Sequence, residues 1–178
     1  GWEYIVVDIQ WYEPRAKSNQ YNPHTPLVMD EYSRLLPAVN RFPSAADGMG
    51  FKPLGDYIHS LGLKFGIHIL RGIPRQAVSR KTAILGTNYT AADIADTDSV
   101  CDWNTDMYGL DPTKAGAQEY YNSIFQLYAD WGVDYVKVDD ITRPYRRGEI
   151  ELIHNAIKNS GREMVLSLSP GPTPVSEG

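Results

Sequence analysis

WGVDYVKVDDI, at residues 131–141, predicts a short parallel β-strand that is buried on both faces. Side chains alternate between the two faces of a strand, so Lys137 and Asp139 share one face while Val136 and Val138 share the other. Charged groups on a buried strand cost desolvation energy unless they are paired or used. Asp139 also stands at the carboxyl end of the strand, where α/β proteins place ligands and catalytic groups. We therefore take Asp139 as the candidate reacting group and Lys137 as its neighbour.

Two structural interpretations explain the same residues. Lys137 and Asp139 can form an ion pair that only stabilises the strand, or Asp139 and Asp140 can cap the turn that follows it. The other predicted strands distinguish these interpretations from a functional one.

The composition describes one ordinary globular domain. The chain has 178 residues, of which 42% are hydrophobic, and this is enough to bury a substantial core. Its net charge of -5 and its pI near 5.3 argue against a nucleic-acid partner, and we find no apolar run long enough to span a membrane. The single cysteine, Cys101, rules out a disulfide within the chain and leaves the cellular compartment open. Because the chain opens inside a strand approach, GWEYIVVD, we expect a cut end.

Three further segments predict strands with one aliphatic face and one face that is polar towards the carboxyl end. They are YIVVDIQ at 4–10, LKFGIHI at 63–69 and EMVLSLS at 163–169, and they carry Asp8, His68, Ser167 and Ser169. Trp11 follows the first of them, and we expect it at the rim. Helices are predicted at 52–60, at 111–130 with Asp111 as N-cap and Pro112 in the first turn, and at 149–159.

Two long connections, at 12–50 and 70–110, follow the first two strands. Loops of this length in a compact domain often serve a site. The second ends in a dense cluster of aromatic and polar residues, namely Cys101, Asp102, Trp103, Asn104 and Asp106. Such a mixture suits a sugar, because rings pack against C–H faces while carboxylates and amides take the hydroxyls. The alternative is a loop that is merely anchored by its tryptophan.

The order of strands and helices, with no hairpin signal, predicts consecutive βα units and a parallel sheet. A doubly wound sheet would favour apolar side chains on both faces. In a barrel, by contrast, the inward-facing side chains at the carboxyl ends of the strands line the active site, so polar groups are expected there. The predicted fold is therefore α/β, a part of a TIM (β/α)8 barrel, in one partial domain that covers 1–178.

Four motifs in order, YIVVDIQW, RFP (41–43), YIHSLGLKFGIH and WGVDYVKVDD, resemble the barrel of glycoside hydrolase family 27. That family holds the retaining α-galactosidases and α-N-acetylgalactosaminidases. The resemblance covers nearly the whole chain and implies roughly strands two to five of the barrel. It implies that Asp139 is the nucleophile, that Lys137 binds sugar, that Asp8 accepts hydrogen bonds from sugar hydroxyls, and that His68 replaces a sugar-contacting tyrosine. We include Trp11, Cys101 and Ser169 among the expected substrate-binding residues.

The chain also departs from the pattern of the family. Typical members have a second aspartate where this chain has Ile9, which leaves the sugar undecided. They have a cysteine in place of Ile141 that would pair with one at the position of Cys101, so the resemblance implies an unpaired Cys101 here. Ser169, followed by Pro170 and Gly171, resembles the small-residue pattern that leaves room for a 2-acetamido group.

The resemblance implies double displacement on terminal α-galactosides or α-N-acetylgalactosaminides, with no metal or organic cofactor. The acid/base aspartate of the family comes from the sixth strand, so we expect this chain alone to be inactive. We also expect the remainder of the barrel, or a second copy, to cover its open sheet edges. Two alternatives stay open: a metal-dependent barrel hydrolase that uses Asp8, His68 and Asp139, and a non-catalytic carbohydrate-binding half-barrel.

Overall fold

A computed structural model describes residues 1–169 of the chain. Its elements, in chain order, are β1 (Tyr4–Val7), a 3₁₀ helix (Pro43–Gly48), α1 (Lys52–Ser60), β2 (Lys64–Leu70), β3 (Ile73–Pro74), α2 (Arg75–Arg80), α3 (Ala91–Ile94), β4 (Ala95–Val100), β5 (Met107–Leu110), α4 (Ala117–Asp130), β6 (Tyr135–Asp139), α5 (Arg147–Asn159) and β7 (Val165–Leu168). The prediction of a stretch without regular structure at 170–178 lies outside the described residues.

The central sheet is parallel and has the strand order β1-β2-β6-β7. Its register aligns the polar positions, because His68 pairs with Lys137 and Lys137 pairs with Ser167 across three neighbouring strands. On the other face of the two central strands, Ile67, Ile69, Val136 and Val138 are buried, as β-branched residues on a covered sheet should be. The predicted α/β barrel segment is confirmed, and its strands bring their polar ends to one edge.

The core beneath the sheet is built on aromatic rings. Phe51, at the start of α1, packs edge to face against Trp11, Phe42, Phe65 and Trp131 at centroid distances between 5.1 and 5.7 Å. These contacts join α1 to β2 and to the residue that ends α4. They fix the helical layer against the strands that carry the polar groups.

The predicted start of α4 is wrong by five residues, because the residue before the helix is Gly116 and not Asp111. Asp111 caps a turn instead of the helix, because its carboxylate accepts hydrogen bonds from the backbone N–H and the hydroxyl of Thr113. The helix begins at Ala117, after Gly116 has turned the backbone into the left-handed region at φ 97°. The buried face of α4 includes Ala117, Tyr121, Ile124 and Tyr128.

The expectation of a chain without hairpins is also wrong. Within the connection at 70–110, β3, β5 and β4 form a three-stranded antiparallel sheet in that order. These strands are short, and β4 reads ADTDSV, so they lack the apolar alternation that reveals a strand in sequence. The pairing of β3 with β5 joins residues 73–74 to residues 107–108, at opposite ends of the connection, so it is not visible in the local sequence.

None of the helices among residues 1–169 combines the length and the apolar character needed to cross a membrane.

Candidate active site

His68, at the carboxyl end of β2, lies between two carboxylates. Its Nδ1 contacts Oδ1 of Asp8, which follows β1, and its Nε2 lies 3.3 Å from Oδ2 of Asp139 at the end of β6. The imidazole is 5% exposed whereas the Asp8 side chain is 80% exposed, so a buried ring supports an accessible carboxylate. The structure thereby joins the ends of three consecutive parallel strands through one side chain.

Asp139 holds its two oxygens in different environments. Oδ1 accepts the backbone N–H of Asp140 at 2.9 Å, and Oδ2 faces His68 and, at 3.8 Å, Nζ of Lys137. Burial raises the pKa of Asp139, but the His68 contact, the Asp140 N–H and the charge of Lys137 together outweigh it and hold this pKa below its ordinary value. Asp139 is therefore ionised at neutral pH. Asp139 thus caps the turn at Asp140 and pairs with Lys137, as the two structural interpretations predicted. Its Oδ2 nevertheless faces the polar side chains of His68 and Lys137 at the strand ends.

Trp11 does not lie at the rim, and this expectation is corrected. Its side chain is fully buried in the aromatic core, where its indole N–H donates to the carbonyl oxygen of His68 at 2.9 Å. A buried indole needs such an acceptor, and the backbone of β2 supplies it. Trp11 positions the strand that carries His68 and has no surface for a ligand.

The cluster at 101–106 divides into anchoring and accessible residues. Asp106 is buried and accepts hydrogen bonds from Nε2 of Gln10 at 2.5 Å and from the hydroxyl of Tyr12 at 3.0 Å. Its backbone N–H donates to Oδ1 of Asn104, which is also buried. Asp106 and Asn104 therefore hold two loops together, so for these two residues the anchoring interpretation applies and the sugar-binding one does not. Burial raises the pKa of Asp106.

Cys101 is buried and free, with no partner cysteine in the chain. Burial, assisted by the charge of Asp140, raises the pKa of its thiol to about 11. Cys101 is therefore a neutral thiol near the turn after β6.

Ser169 lies directly beyond β7. Its backbone N–H donates to the carbonyl oxygen of Val138 at 2.9 Å, and its own carbonyl accepts the Thr142 hydroxyl at 3.0 Å. The backbone of Ser169 thus stands beside the end of β6. Pro170 and Gly171, the rest of the predicted small-residue pattern, lie outside the described residues.

Sequence reasoning missed Tyr21. Its ring packs against Trp103 at a centroid distance of 5.4 Å, and both rings are over 40% exposed. Partial burial raises the pKa of Tyr21, and the charges of Asp8 and Asp139 raise it further, so the phenol lies within the field of the candidate site. Tyr21 sits in the long connection after β1 without periodicity, and nothing in the sequence distinguishes it.

Arg71 was missed as well. It follows β2 directly, it is 2% exposed, and it contacts the turn after β6. A lone arginine after an otherwise apolar strand end, HILRG, was a usable signal because such a charge must find partners.

The described residues do not gather a metal-ligating cluster. Across positions 1–169 there is no group of three or more His, Cys, Asp or Glu side chains that could hold a metal ion. The two nitrogens of His68 face different carboxylates instead of a common point.

No protein-family model matches the chain, but solved and curated relatives do. A β-L-arabinopyranosidase of glycoside hydrolase family 27 from Geobacillus stearothermophilus is 68% identical, with a TM-score of 0.95 over 99% of this chain and 42% of that protein. A Bacillus halodurans protein assigned provisionally as an α-N-acetylgalactosaminidase is 66% identical, with a TM-score of 0.90 over the same shares. A probable α-galactosidase from Dictyostelium discoideum is 32% identical over 67% of this chain and 22% of its own length.

This chain is part of a (β/α)8-barrel glycoside hydrolase, as its parallel sheet, its polar strand ends and these relatives show. Within that class, the chain belongs to glycoside hydrolase family 27. It spans less than half the length of each of these relatives.

Proposed function

We propose that Asp139 is the nucleophile of a retaining glycosidase. The observation that carries this proposal is the environment of its Oδ2, an ionised oxygen at a strand end that faces His68 at 3.3 Å and Lys137 at 3.8 Å. Asp139 attacks the anomeric carbon while the bond from that carbon to the leaving oxygen breaks, and a carboxylic acid protonates the leaving oxygen. Water, deprotonated by the same acid/base group, then attacks the anomeric carbon and releases Asp139.

The roles of the neighbouring residues follow from their position. Asp8 presents an exposed carboxylate that can accept hydrogen bonds from sugar hydroxyls, and Lys137 can donate to them. His68 orients both carboxylates. The acid/base group, which family resemblance assigns to a sixth strand, is proposed to come from barrel segments that the solved relatives have beyond the matched region.

The substrate we favour is a β-L-arabinopyranoside. This sugar has the ring of an α-D-galactopyranoside without its exocyclic hydroxymethyl group. Typical family members have a carboxylate where this chain has Ile9, and isoleucine cannot accept a hydrogen bond from such a hydroxyl. The 68% identity to the Geobacillus stearothermophilus arabinopyranosidase supports the same choice. An α-N-acetylgalactosaminide is the second candidate, supported by Ser169 and by the Bacillus halodurans relative.

A chimera tests this function directly. Residues 1–178 would replace the matching segment of the Geobacillus stearothermophilus enzyme, and kcat/KM would be measured on 4-nitrophenyl glycosides of β-L-arabinopyranose, α-D-galactopyranose and α-D-N-acetylgalactosamine. We expect the arabinopyranoside to be preferred, and Ile9→Asp to raise the relative rate on the galactoside.

Asp139→Asn should lower kcat at least about 10⁴-fold, while the exposed control Asp130→Asn should retain activity. An active Asp139→Asn chimera would contradict the assignment of the nucleophile. A galactoside preference in the unmutated chimera would contradict the choice of sugar.

The edges of the sheet need a cover. Among residues 1–169, β1 and β7 each pair with one strand only, and Ile5, Val6 and Val165 are 40% to 49% exposed. We propose that further barrel segments or a second copy of the chain cover these edges. A compact monomer of residues 1–178 in sizing chromatography would contradict this proposal.

A further inference from the structure

A buried polar network lies under the turn that follows Asp139. Nη1 of Arg71 lies 2.8 Å from Oε1 of Glu149 on α5, and Oε2 of Glu149 accepts the hydroxyl of Tyr121 on α4 at 2.8 Å. The same hydroxyl accepts the backbone N–H of Gly72 at 2.9 Å. The network therefore ties the end of β2 to two helices.

The other side of the Arg71 guanidinium holds Asp140. Nε of Arg71 donates to the carbonyl oxygen of Asp140, and Nη2 of Arg71 lies 3.0 Å from Oδ2 of Asp140. A planar guanidinium that contacts a carbonyl and a carboxylate of one residue restrains both its backbone and its side chain. We call Arg71, Asp140, Glu149 and Tyr121 the strand-end clamp.

The clamp holds a backbone conformation that Asp140 would not adopt readily. Asp140 has φ 57°, in the left-handed region that non-glycine residues enter at a cost in energy. In this conformation its N–H points back and donates to Oδ1 of Asp139 at 2.9 Å. The turn therefore sets the orientation of the Asp139 carboxylate, whose other oxygen then faces His68 and Lys137.

The surrounding backbone leaves room for the guanidinium. A Cβ atom at Gly109, on β5, would lie 2.5 Å from Nη1 of Arg71 and 2.6 Å from the hydroxyl of Ser99. Only a residue without a side chain fits this position while Arg71 keeps its contacts. The antiparallel sheet of the second connection is thus shaped around the clamp.

We propose that Arg71 is a positioning residue for the nucleophile, which acts through Asp140 and rests on Glu149. This inference rests on the proposed role of Asp139. Arg71 does not touch the substrate; it fixes the turn that aims the Asp139 carboxylate at the anomeric carbon. A displacement of about 1 Å in such a group can cost about 100-fold in rate.

The chain offers a matched control at the opposite end of the same strand. Arg162 contacts the carbonyl oxygens of Val133 and Gly132 at 2.8 and 3.1 Å and the carboxylate of Asp134 at 2.6 Å. It thus holds β6 with the same kind of contacts, but before Tyr135 instead of after Asp139. Its loss should affect stability without affecting the orientation of the nucleophile.

The test compares Arg71→Met/Glu149→Gln, Arg71→Lys and Arg162→Met. The double variant removes both buried charges, so that no unpaired carboxylate is left to prevent folding. In the chimera, well below the unfolding temperature of each variant, we expect the double variant to lower kcat at least about tenfold with KM within about threefold. Arg71→Lys keeps the charge but not the planar fork, so its loss should be smaller, and Arg162→Met should keep kcat within about twofold. A folded double variant with a kcat within about twofold of the parent would overturn the inference.

A second measurement does not depend on activity. The carboxyl carbon of Asp139 would be followed by ¹³C NMR during a pH titration of residues 1–178. Loss of the clamp weakens the Asp140 N–H contact, so the pKa of Asp139 should rise in Arg71→Met/Glu149→Gln and stay unchanged in Arg162→Met. An inactive parent chimera would refute the proposed function, and identical Asp139 titrations of the parent and the double variant would then refute the positioning role separately.

Discussion

Replacing Lys137 with methionine should make Asp139 easier to protonate. The ammonium lies 3.8 Å from Oδ2 of Asp139 and is one of the groups that hold the pKa of this carboxyl below its ordinary value. Burial acts in the opposite direction, and the remaining support comes from His68 and the Asp140 N–H. Methionine keeps most of the apolar length of the side chain but has neither the charge nor the N–H donors.

The distance gives the size of the effect. Two opposite unit charges about 4 Å apart attract by about 1 kcal/mol in water and about 4 kcal/mol near a protein surface. Lys137 is 36% exposed and Asp139 is 22% exposed, so solvent screens the pair and the lower end applies. A loss of ~1.4 kcal/mol is equivalent to about tenfold tighter proton binding by Asp139.

The sign determines which side of the pH profile changes. In the proposed mechanism Asp139 must be ionised to attack, so activity should be lost as the pH falls through its pKa, and tighter proton binding should move this loss to higher pH. At the pH where the parent carboxyl is half protonated, Lys137→Met should retain about one fifth of the parental activity, each normalised to its own rate at neutral pH.

The assay is the pH dependence of kcat/KM in the chimera on the preferred aryl glycoside. Lys64→Met is the control. Lys64 lies on the same face of β2 as His68 but at the opposite end of that strand, and its ammonium lies over the ring of Tyr4 instead of beside a carboxylate. Superimposable acid limbs for the parent and Lys137→Met would refute the electrostatic reasoning. A shifted limb in Lys64→Met would show that any lost charge has the same effect.

Three further predictions concern the core, the site entrance and the response to acid. Phe51→Ala should lower the free energy of unfolding by about 3–5 kcal/mol, because the ring packs against four others; urea unfolding measures this, and a loss under about 1 kcal/mol would contradict it. Trp103→Ala should raise KM for aryl glycosides at constant kcat, because it removes the ring that packs on Tyr21. The control Trp2→Ala, at a 95% exposed position, should change neither KM nor kcat. An unchanged KM in Trp103→Ala would mean that the Tyr21–Trp103 pair does not contact the substrate. Burial raises the pKa of Asp134, but an imidazole, a backbone N–H and a guanidinium outweigh it and lower this pKa. Its stabilisation is therefore present at neutral pH and lost as the pH falls through the folded-state pKa, so Asp134→Asn should lower stability at pH 7 and flatten its acid dependence in thermal unfolding.

The periodicity of apolar residues in the sequence was sufficient to predict those helices and strands whose apolar residues pack into the same core. The strand at 63–69 and the helix at 52–60 were predicted nearly to the residue, because Phe65, Ile67 and Ile69 alternate along the strand and the apolar residues of the helix recur at helical spacing. Strand ends were less accurate, since β1 stops at Val7 and not at Gln10. Pairing with β2 sets that end, and pairing is not a local property.

Long-range contacts explain the failures. Trp11 is as suitable for a rim as for a core until Phe51 and Trp131 pack around it. Asp111 and Pro112 form a good helix start, but the chain uses Asp111 for a turn and begins α4 at Ala117. In both cases residue type limited the choices and the tertiary environment made the selection.

The sequence by itself determined that four strands alternate with helices and that Asp8, His68, Lys137 and Asp139 stand at strand ends, because alternation and spacing are written residue by residue. Only the tertiary structure decided that His68 lies between two carboxylates and that Arg71 holds the turn after Asp139. The partners in these contacts are about 60 to 70 residues apart in the chain. Such contacts depend on the register of parallel strands and on helix packing, and no local pattern encodes either.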